Sequence, residues 1–267
     1  MKPNEKRLYG AIIGDICGSS YEFNGNKNYN CELFPSDCNF TDDTILTCAV
    51  AWSFTSKMDF VPSFRLWCSQ FPSPKGGYGA SFSQWLTSNA LIGYNSLGNG
   101  SAMRVSPCSY ISDDYYQVLH HATRSAIATH NHWQGIKAAQ AVATCIYDLN
   151  HGESRDAVLE KMKKDFDYNI PDLDAVFKSL QMWYEYSELA EDTVPIAIWC
   201  ALSATSFEDA IRKAISLGGD ADTLGAITGS IAECLFEIPA YMLEKAQSIP
   251  PKEIIDAIEN FNKKYIK

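Results

Sequence analysis

Apolar residues recur at helical spacing along nearly the whole chain, and no run of β-branched residues alternates with polar ones at regular intervals. A strand needs a period of two to present one apolar face, so this pattern predicts an all-α fold. Asp42 to Phe54 sets Ile45, Ala49, Val50 and Trp52 along one side, and Tyr115 to Ala128 does the same with Val118, Leu119, Ala122, Ala126 and Ile127. An Ala-rich helix is predicted over 134–149, stopping before Gly152. Ser206, with Asp209 as its capping-box partner, opens another that carries Ile211, Ala214, Ile215 and Leu217 and is closed by Gly218 and Gly219. The stretches 25–40 and 72–79 crowd Asn, Gly, Ser and Pro and read as loops, neither of them a domain linker. With no internal repeat, a single domain over residues 1–267 is expected.

One predicted helix is unusual. Thr223 to Leu235 carries Gly225 and Gly229 one turn apart, with Ala226, Ser230 and Ala232 beside them, so one side is nearly bare backbone. Glycine inside a helix costs about 1 kcal/mol relative to alanine. Another element must therefore pack closely on that side, which would hold the residues just before the helix rigidly.

Lys and Arg number 22 against 32 Asp and Glu, a formal charge of −10 that repels polyanions and argues against nucleic acid as a partner. Nine cysteines occur without a CxxC pair or any short metal-ligand spacing, as expected of a reduced, cytoplasmic protein. The N-terminal apolar run from Leu8 to Ile13 is too short for the core of a signal peptide. No window reaches the ~20 apolar residues of a membrane span. The longest candidate, 225–243, is broken by Glu233, Glu237 and Pro239 and reads as a buried helix ending at a turn. A soluble monomer with no membrane association is expected.

Two acidic clusters each stand directly before an apolar helix: Thr41-Asp42-Asp43-Thr44 and Asp220-Ala221-Asp222-Thr223. Either alone reads as helix capping, because Asp and Thr there satisfy free N–H groups and suit the helix dipole. Capping needs only one side chain, whereas these eight residues hold four carboxylates that would repel one another unless spread apart or neutralised. Hard oxygen ligands of this kind suit Mg²⁺, Ca²⁺ or Mn²⁺ rather than zinc. Folding would have to bring the two helix starts together.

Three weaker signals accompany them. Gly98-Asn99-Gly100-Ser101-Ala102-Met103-Arg104 is a small-residue turn feeding a helix, either an ordinary loop or a cradle for a diphosphate. Thr129-His130-Asn131-His132 lies between two helices, where a histidine is more often structural than catalytic, and it makes a poor zinc site. Gly14-Asp15-Ile16-Cys17-Gly18-Ser19-Ser20-Tyr21-Glu22 puts two acids in an apolar stretch. Glu22 falls at a helix-to-loop transition from which it can reach a site; Asp15 is a cap or a buried hydrogen-bonded group.

Taken in order, GAIIGDICGSSYE, FTDDT, GNGSAMRVSP, THNHWQGIKAAQA and SLGGDADTLGAITGSIAE resemble the ADP-ribosylglycohydrolase family over residues 9–235. The resemblance implies a compact, orthogonal all-α domain with a binuclear centre of two Mg²⁺ ions, Mn²⁺ being the substitute. It implies Thr41, Asp42, Asp43, Asp220, Asp222 and Thr223 as metal ligands, and Glu22 and Asp43 as catalytic residues. Gly98, Asn99, Gly100, Ser101 and His130 would bind the ligand. The substrate would be an ADP-ribosylated protein and the product ADP-ribose. Glu22 matches the acid of the branch acting on poly-ADP-ribose and serine-linked ADP-ribose, which favours an O-glycosidic bond over an arginine linkage. Leu97 stands where that branch has an aromatic residue that stacks on adenine, and Tyr94 or Tyr78 would have to substitute. Two rivals are a non-catalytic ADP-ribose-binding or crystallin-like relative and an unrelated metal-dependent phosphoesterase.

Overall fold

The computed structural model describes residues 7–266; Lys267 and residues 1–6, the start of the stretch weighed above as a leader, lie outside the described residues. Fourteen α-helices fill the described residues: α1 Tyr9–Gly18, α2 Asp42–Ser56, α3 Phe60–Gln70, α4 Ala80–Thr87, α5 Gly100–Met103, α6 Tyr115–Ile127, α7 Trp133–Asn150, α8 Arg155–Asp165, α9 Phe177–Trp183, α10 Ala190–Leu202, α11 Phe207–Ile215, α12 Ala221–Ala232, α13 Ala240–Ser248 and α14 Lys252–Tyr265. Among the described residues there is no strand, only an isolated antiparallel bridge between Gly98 and Leu189. One continuous apolar core runs from Leu8, Ile12 and Ile45 through Phe64 and Trp199 to Phe207 and Phe261. No described helix is long and apolar enough to cross a membrane.

The helices expected from apolar spacing form. α2 and α7 extend slightly beyond their predicted limits, and α12 begins at Ala221 and gives way to turns after Ala232. The Ser206 hydroxyl accepts the Asp209 N–H at 3.1 Å, while the Asp209 carboxylate takes the N–H of Thr205 instead of Ser206, so the capping box is displaced by one residue.

The bare side of α12 finds its partner in α1. The two helices run antiparallel, with Gly10 against Gly229, Gly14 against Gly225 and Gly18 against Ala221. A methyl group on Gly14 would lie 1.9 Å from the Gly225 carbonyl oxygen, and one on Gly229 would lie 2.0 Å from that of Gly10. Backbone meets backbone here, so neither helix can accept a side chain without the axes moving apart.

Capping across helices fixes the relative position of the pair. Leu8 stands at the N-cap of α1 with a left-handed backbone (φ 73°) and offers no side-chain cap. Glu233, just past the end of α12, accepts the N–H groups of Leu8 and Gly10 at 3.0 and 2.8 Å in its place. Asn262 on α14 exchanges two hydrogen bonds with the Arg7 backbone, tying the last helix to the first.

Replacing Gly225 by alanine should lower the free energy of unfolding by more than about 3 kcal/mol, the upper end of ordinary overpacking, because main chain must move. Gly79→Ala, where a methyl group meets nothing within 4 Å, should cost under about 1 kcal/mol. Urea unfolding followed by circular dichroism compares the two, and equal losses would contradict the close crossing.

Candidate metal centre and ligand cleft

Because α1 and α12 are antiparallel, the C-terminal end of α1 meets the N-terminal end of α12. Asp15 and the turn carrying Glu22 therefore lie against Asp220 and Asp222. The start of α2 joins them. Asp15 Oδ2 accepts the N–H groups of Thr41 and Thr44 at 3.0 and 3.1 Å and the Thr44 hydroxyl at 2.5 Å, and Oδ1 accepts the Thr41 hydroxyl at 2.8 Å. Asp15 is thus both a cap and a buried hydrogen-bonded group, and it caps a helix other than its own.

This arrangement decides the capping question for the two clusters. At α2 the capping is done by Asp15 and by Thr41, whose hydroxyl accepts the Asp43 N–H at 3.2 Å. At α12 Asp220 stands at the N-cap and makes no capping bond; its Oδ2 accepts from the Asn99 side chain at 2.7 Å. Asp42, Asp43 and Asp220 are therefore surplus to helix capping, and Asp222 spends one oxygen on it, its Oδ1 accepting the Thr223 N–H at 3.0 Å.

Carboxylate oxygens of Asp15, Asp43 and Asp222 lie within 4.8 Å of one another, as do those of Glu22, Asp220 and Asp222. Asp222 belongs to both triplets. The hydroxyls of Thr41 and Thr223 approach Asp43 Oδ2 at 3.3 and 3.4 Å, whereas Asp43 Oδ1 is buried with no hydrogen-bond partner. Asp42 lines the same cleft but joins neither triplet.

No lysine or arginine forms an ion pair with these acids among the described residues. Burial, with Asp220 next in weight, pushes the Glu22 carboxyl up to about 7. Burial raises Asp15 to about 6 against the pull of its four hydrogen bonds. Burial and then mutual repulsion raise Asp42, Asp43 and Asp222 well above the carboxylate range. A buried, orphaned carboxylate oxygen among repelling acids is what a hard divalent cation would satisfy, so the donor set fits such an ion.

The turn from Gly98 to Gly100 forms one wall of the cleft, and the bridge to Leu189 pins it; Ser101 is fully buried behind it. Asn99 is committed inside the protein: its backbone N–H goes to the Glu188 carbonyl at 2.9 Å, and its side-chain amide goes to Asp220 and to Thr193 Oγ1. The Ser101 hydroxyl likewise goes to the Gly135 carbonyl at 2.7 Å. What this turn can offer a ligand is main chain at Gly98 and Gly100, because the N–H groups of Ala102 and Met103 already donate to the Asn99 carbonyl. His130 is buried beside the turn, and its Nε2 would lie 2.9 Å from a methyl group on Gly100. Tyr94 and Tyr78 line the cleft, whereas Leu97 is outside its lining.

Several residues were not legible as parts of this site. Glu188 and Tyr186 border the cleft from a segment with no motif. Lys27 donates to the carbonyls of Gln181, Tyr184 and Leu217, and its side chain packs on Gly218 (φ 76°), bracing the turn that leads into Asp220.

A family model described as ADP-ribosylglycohydrolase matches residues 6–266. An uncharacterized protein of Archaeoglobus fulgidus is 31% identical over 160 residues, 54% of this chain, and the chain spans only about half of that relative, 52%. ADP-ribosylhydrolase ARH3 of Bos taurus is 25% identical, covering 84% of this chain and 82% of that one. ADP-ribosylarginine hydrolase Tri1 of Serratia proteamaculans is also 25% identical, covering 89% and 73%. A solved structure titled ADP-ribosylglycohydrolase-related protein complex superposes over 100% of both chains with a TM-score of 0.74 at 21% identity, a likeness of fold. With a family model matched over nearly its whole length, and the acids of its two cluster motifs folded into one cleft, the chain belongs to the ADP-ribosylglycohydrolase family.

Proposed function

We propose that the protein is a Mg²⁺-dependent ADP-ribosyl hydrolase that releases ADP-ribose from modified protein side chains, with an O-glycosidic linkage, to serine or within the polymer, as the preferred bond. The observation that carries this reading is the pair of carboxylate triplets joined through Asp222, with Glu22 a member of one of them and in the cleft lining. The relatives' names support the reaction class, and one of them names arginine as the linkage.

Asp43, Asp220 and Asp222 would hold two Mg²⁺ or Mn²⁺ ions, with Thr41, Asp42 and Thr223 around them and Glu22 beside Asp220 and Asp222. Asp15, its oxygens engaged by α2, braces Asp43. When bound, the ions would supply Lewis-acid stabilisation of charge at the distal ribose and fixed points for its hydroxyls. The main-chain N–H of Gly100 would receive the diphosphate, Gly98 lets it approach, and His130 donates alongside. Asn99 ties that turn to Asp220, so diphosphate and ribose ends are held in register. Glu22, half-buried beside the acids, is placed to give a proton to the departing alcohol oxygen as its bond to the ribose anomeric carbon breaks, while a water attacks that carbon and gives up a proton in turn. That step favours an alcohol over a guanidine, and Asp43 steers the reacting centre from the opposite helix.

Release of free ADP-ribose from serine-linked, arginine-linked and polymeric substrates tests the proposal. Serine-linked or polymeric substrate should be cleaved, chelation should abolish turnover, and Glu22→Gln should lower kcat by about 10²-fold or more. Cleavage of the arginine substrate alone would overturn the linkage preference; binding without turnover, or phosphate release without ADP-ribose, would overturn the reaction.

Stability should follow the same acids. Glu22 and Asp15 keep their protons up to about 7 and about 6 in the folded chain, whereas the unfolded chain releases them near the ordinary ~4. Between those values the folded state binds more protons than the unfolded one, so metal-free stability falls as pH rises through the window. The Tm of the chelated protein should drop between about pH 4.5 and 7.5, and Mg²⁺ should raise Tm more at the upper end than at the lower. A pH-independent Mg²⁺ effect in differential scanning calorimetry would count against carboxylate ligation.

A further inference from the structure

A polar chain runs from Arg104 through Thr129 to His130, the histidine of the cleft, and its first two members take no direct part in the proposed reaction. Arg104, at the end of the α5 turn, is fully buried over the face of Phe64, its guanidinium carbon 4.3 Å from the ring centre. Its Nη2 donates to Thr129 Oγ1 at 2.6 Å and to the Ser125 carbonyl at 3.1 Å. Thr129 Oγ1 in turn lies 2.7 Å from His130 Nδ1. The main chain holds the histidine as well, because His130 N–H donates to the Ala126 carbonyl at 2.7 Å. Gly135 leaves room for the His130 side chain, since a methyl group there would come within 2.8 Å of its Cβ.

The direction of each bond is fixed by chemistry. A guanidinium has donors and no acceptor, so Thr129 Oγ1 must accept from Arg104. That leaves the single hydroxyl hydrogen for His130 Nδ1, which must then be the unprotonated nitrogen. The reverse assignment would strand the Thr129 hydrogen without an acceptor in a buried site. We propose that Arg104 and Thr129 are positioning residues that fix His130 as the Nε2–H tautomer, so that it presents one neutral donor to ligand oxygen beside Gly98 and Gly100. This rests on the reading of the cleft as an ADP-ribose site. The groups that face His130 agree with it: burial and then the Arg104 charge hold the imidazole neutral well below its ordinary range, and the neighbouring ring is that of Tyr94, 6.0 Å away. A histidine that charged near neutrality would have to protonate Nδ1 and break the bond from Thr129.

The Thr129→Val variant keeps shape and removes the hydroxyl; Thr129→Ser restores it. Nitrogen-15 NMR of the histidine ring, read on the free protein, should show a protonated Nε2 and an unprotonated Nδ1 for His130 in the wild type and Thr129→Ser. Mixed tautomers should appear in Thr129→Val. ADP-ribose binding by calorimetry in the presence of Mg²⁺ should weaken roughly threefold to tenfold in Thr129→Val, since only the competent tautomer binds, and should recover in Thr129→Ser. A wild-type proton on Nδ1 overturns the proposal without any variant, as does an unchanged tautomer and affinity in a folded Thr129→Val. Wild-type protein that keeps the Nε2 proton yet binds no ADP-ribose sinks the reading of the ligand and leaves the relay standing.

Discussion

The contact of glycine backbone on glycine backbone between α1 and α12 is the constraint on which the rest of the structure depends. Side chains of ordinary size would hold two helices 8–10 Å apart. Here the carbonyl of Gly225 approaches where a Cβ of Gly14 would stand. The gain is positional: the end of α1 and the start of α12 are brought close enough for short aspartate side chains to share one volume. Asp222 can belong to two triplets only because Asp15 arrives from the facing helix and Glu22 from the turn that follows it.

Polar groups reinforce the crossing by capping helices they do not belong to. Glu233 closes the start of α1 from the end of α12, and Asp15 closes the start of α2 from the end of α1. Each such bond removes a free N–H from a buried helix end and fixes the distance between two axes. Because Asp15 and Thr41 satisfy α2, and Asp220 turns to Asn99, the remaining carboxylates converge with nothing of opposite charge to meet them. Raised carboxyls and an orphaned Asp43 oxygen go with that crowding, and a divalent cation would relieve it.

Much of this was legible in the chain. Helical periodicity gave the fold class and the main helices, and the bare side of α12 announced a close partner. That partner could have been named, since Gly10, Gly14 and Gly18 repeat at the same one-turn interval as Gly225 and Gly229. Surplus acids before two helices pointed to a shared site, and the structure brings those helix starts together. Long-range hydrogen bonding was beyond reach: no spacing rule says that Asp15 caps α2 or that Asn99 turns its amide to Asp220. The same holds for Lys27, whose three carbonyl partners come from remote segments, and for Glu188 and Tyr186, which reach the cleft through one bridge between Gly98 and Leu189.

The central claim is that the acids of α1, α2 and α12 form one cation centre organised around Asp222. Anomalous diffraction from crystals soaked in Mn²⁺ tests it most directly. Two peaks are expected, both in contact with Asp222, one on the Asp43 side and one on the Glu22 and Asp220 side. An empty cleft, or manganese bound only elsewhere on the protein, would contradict the account.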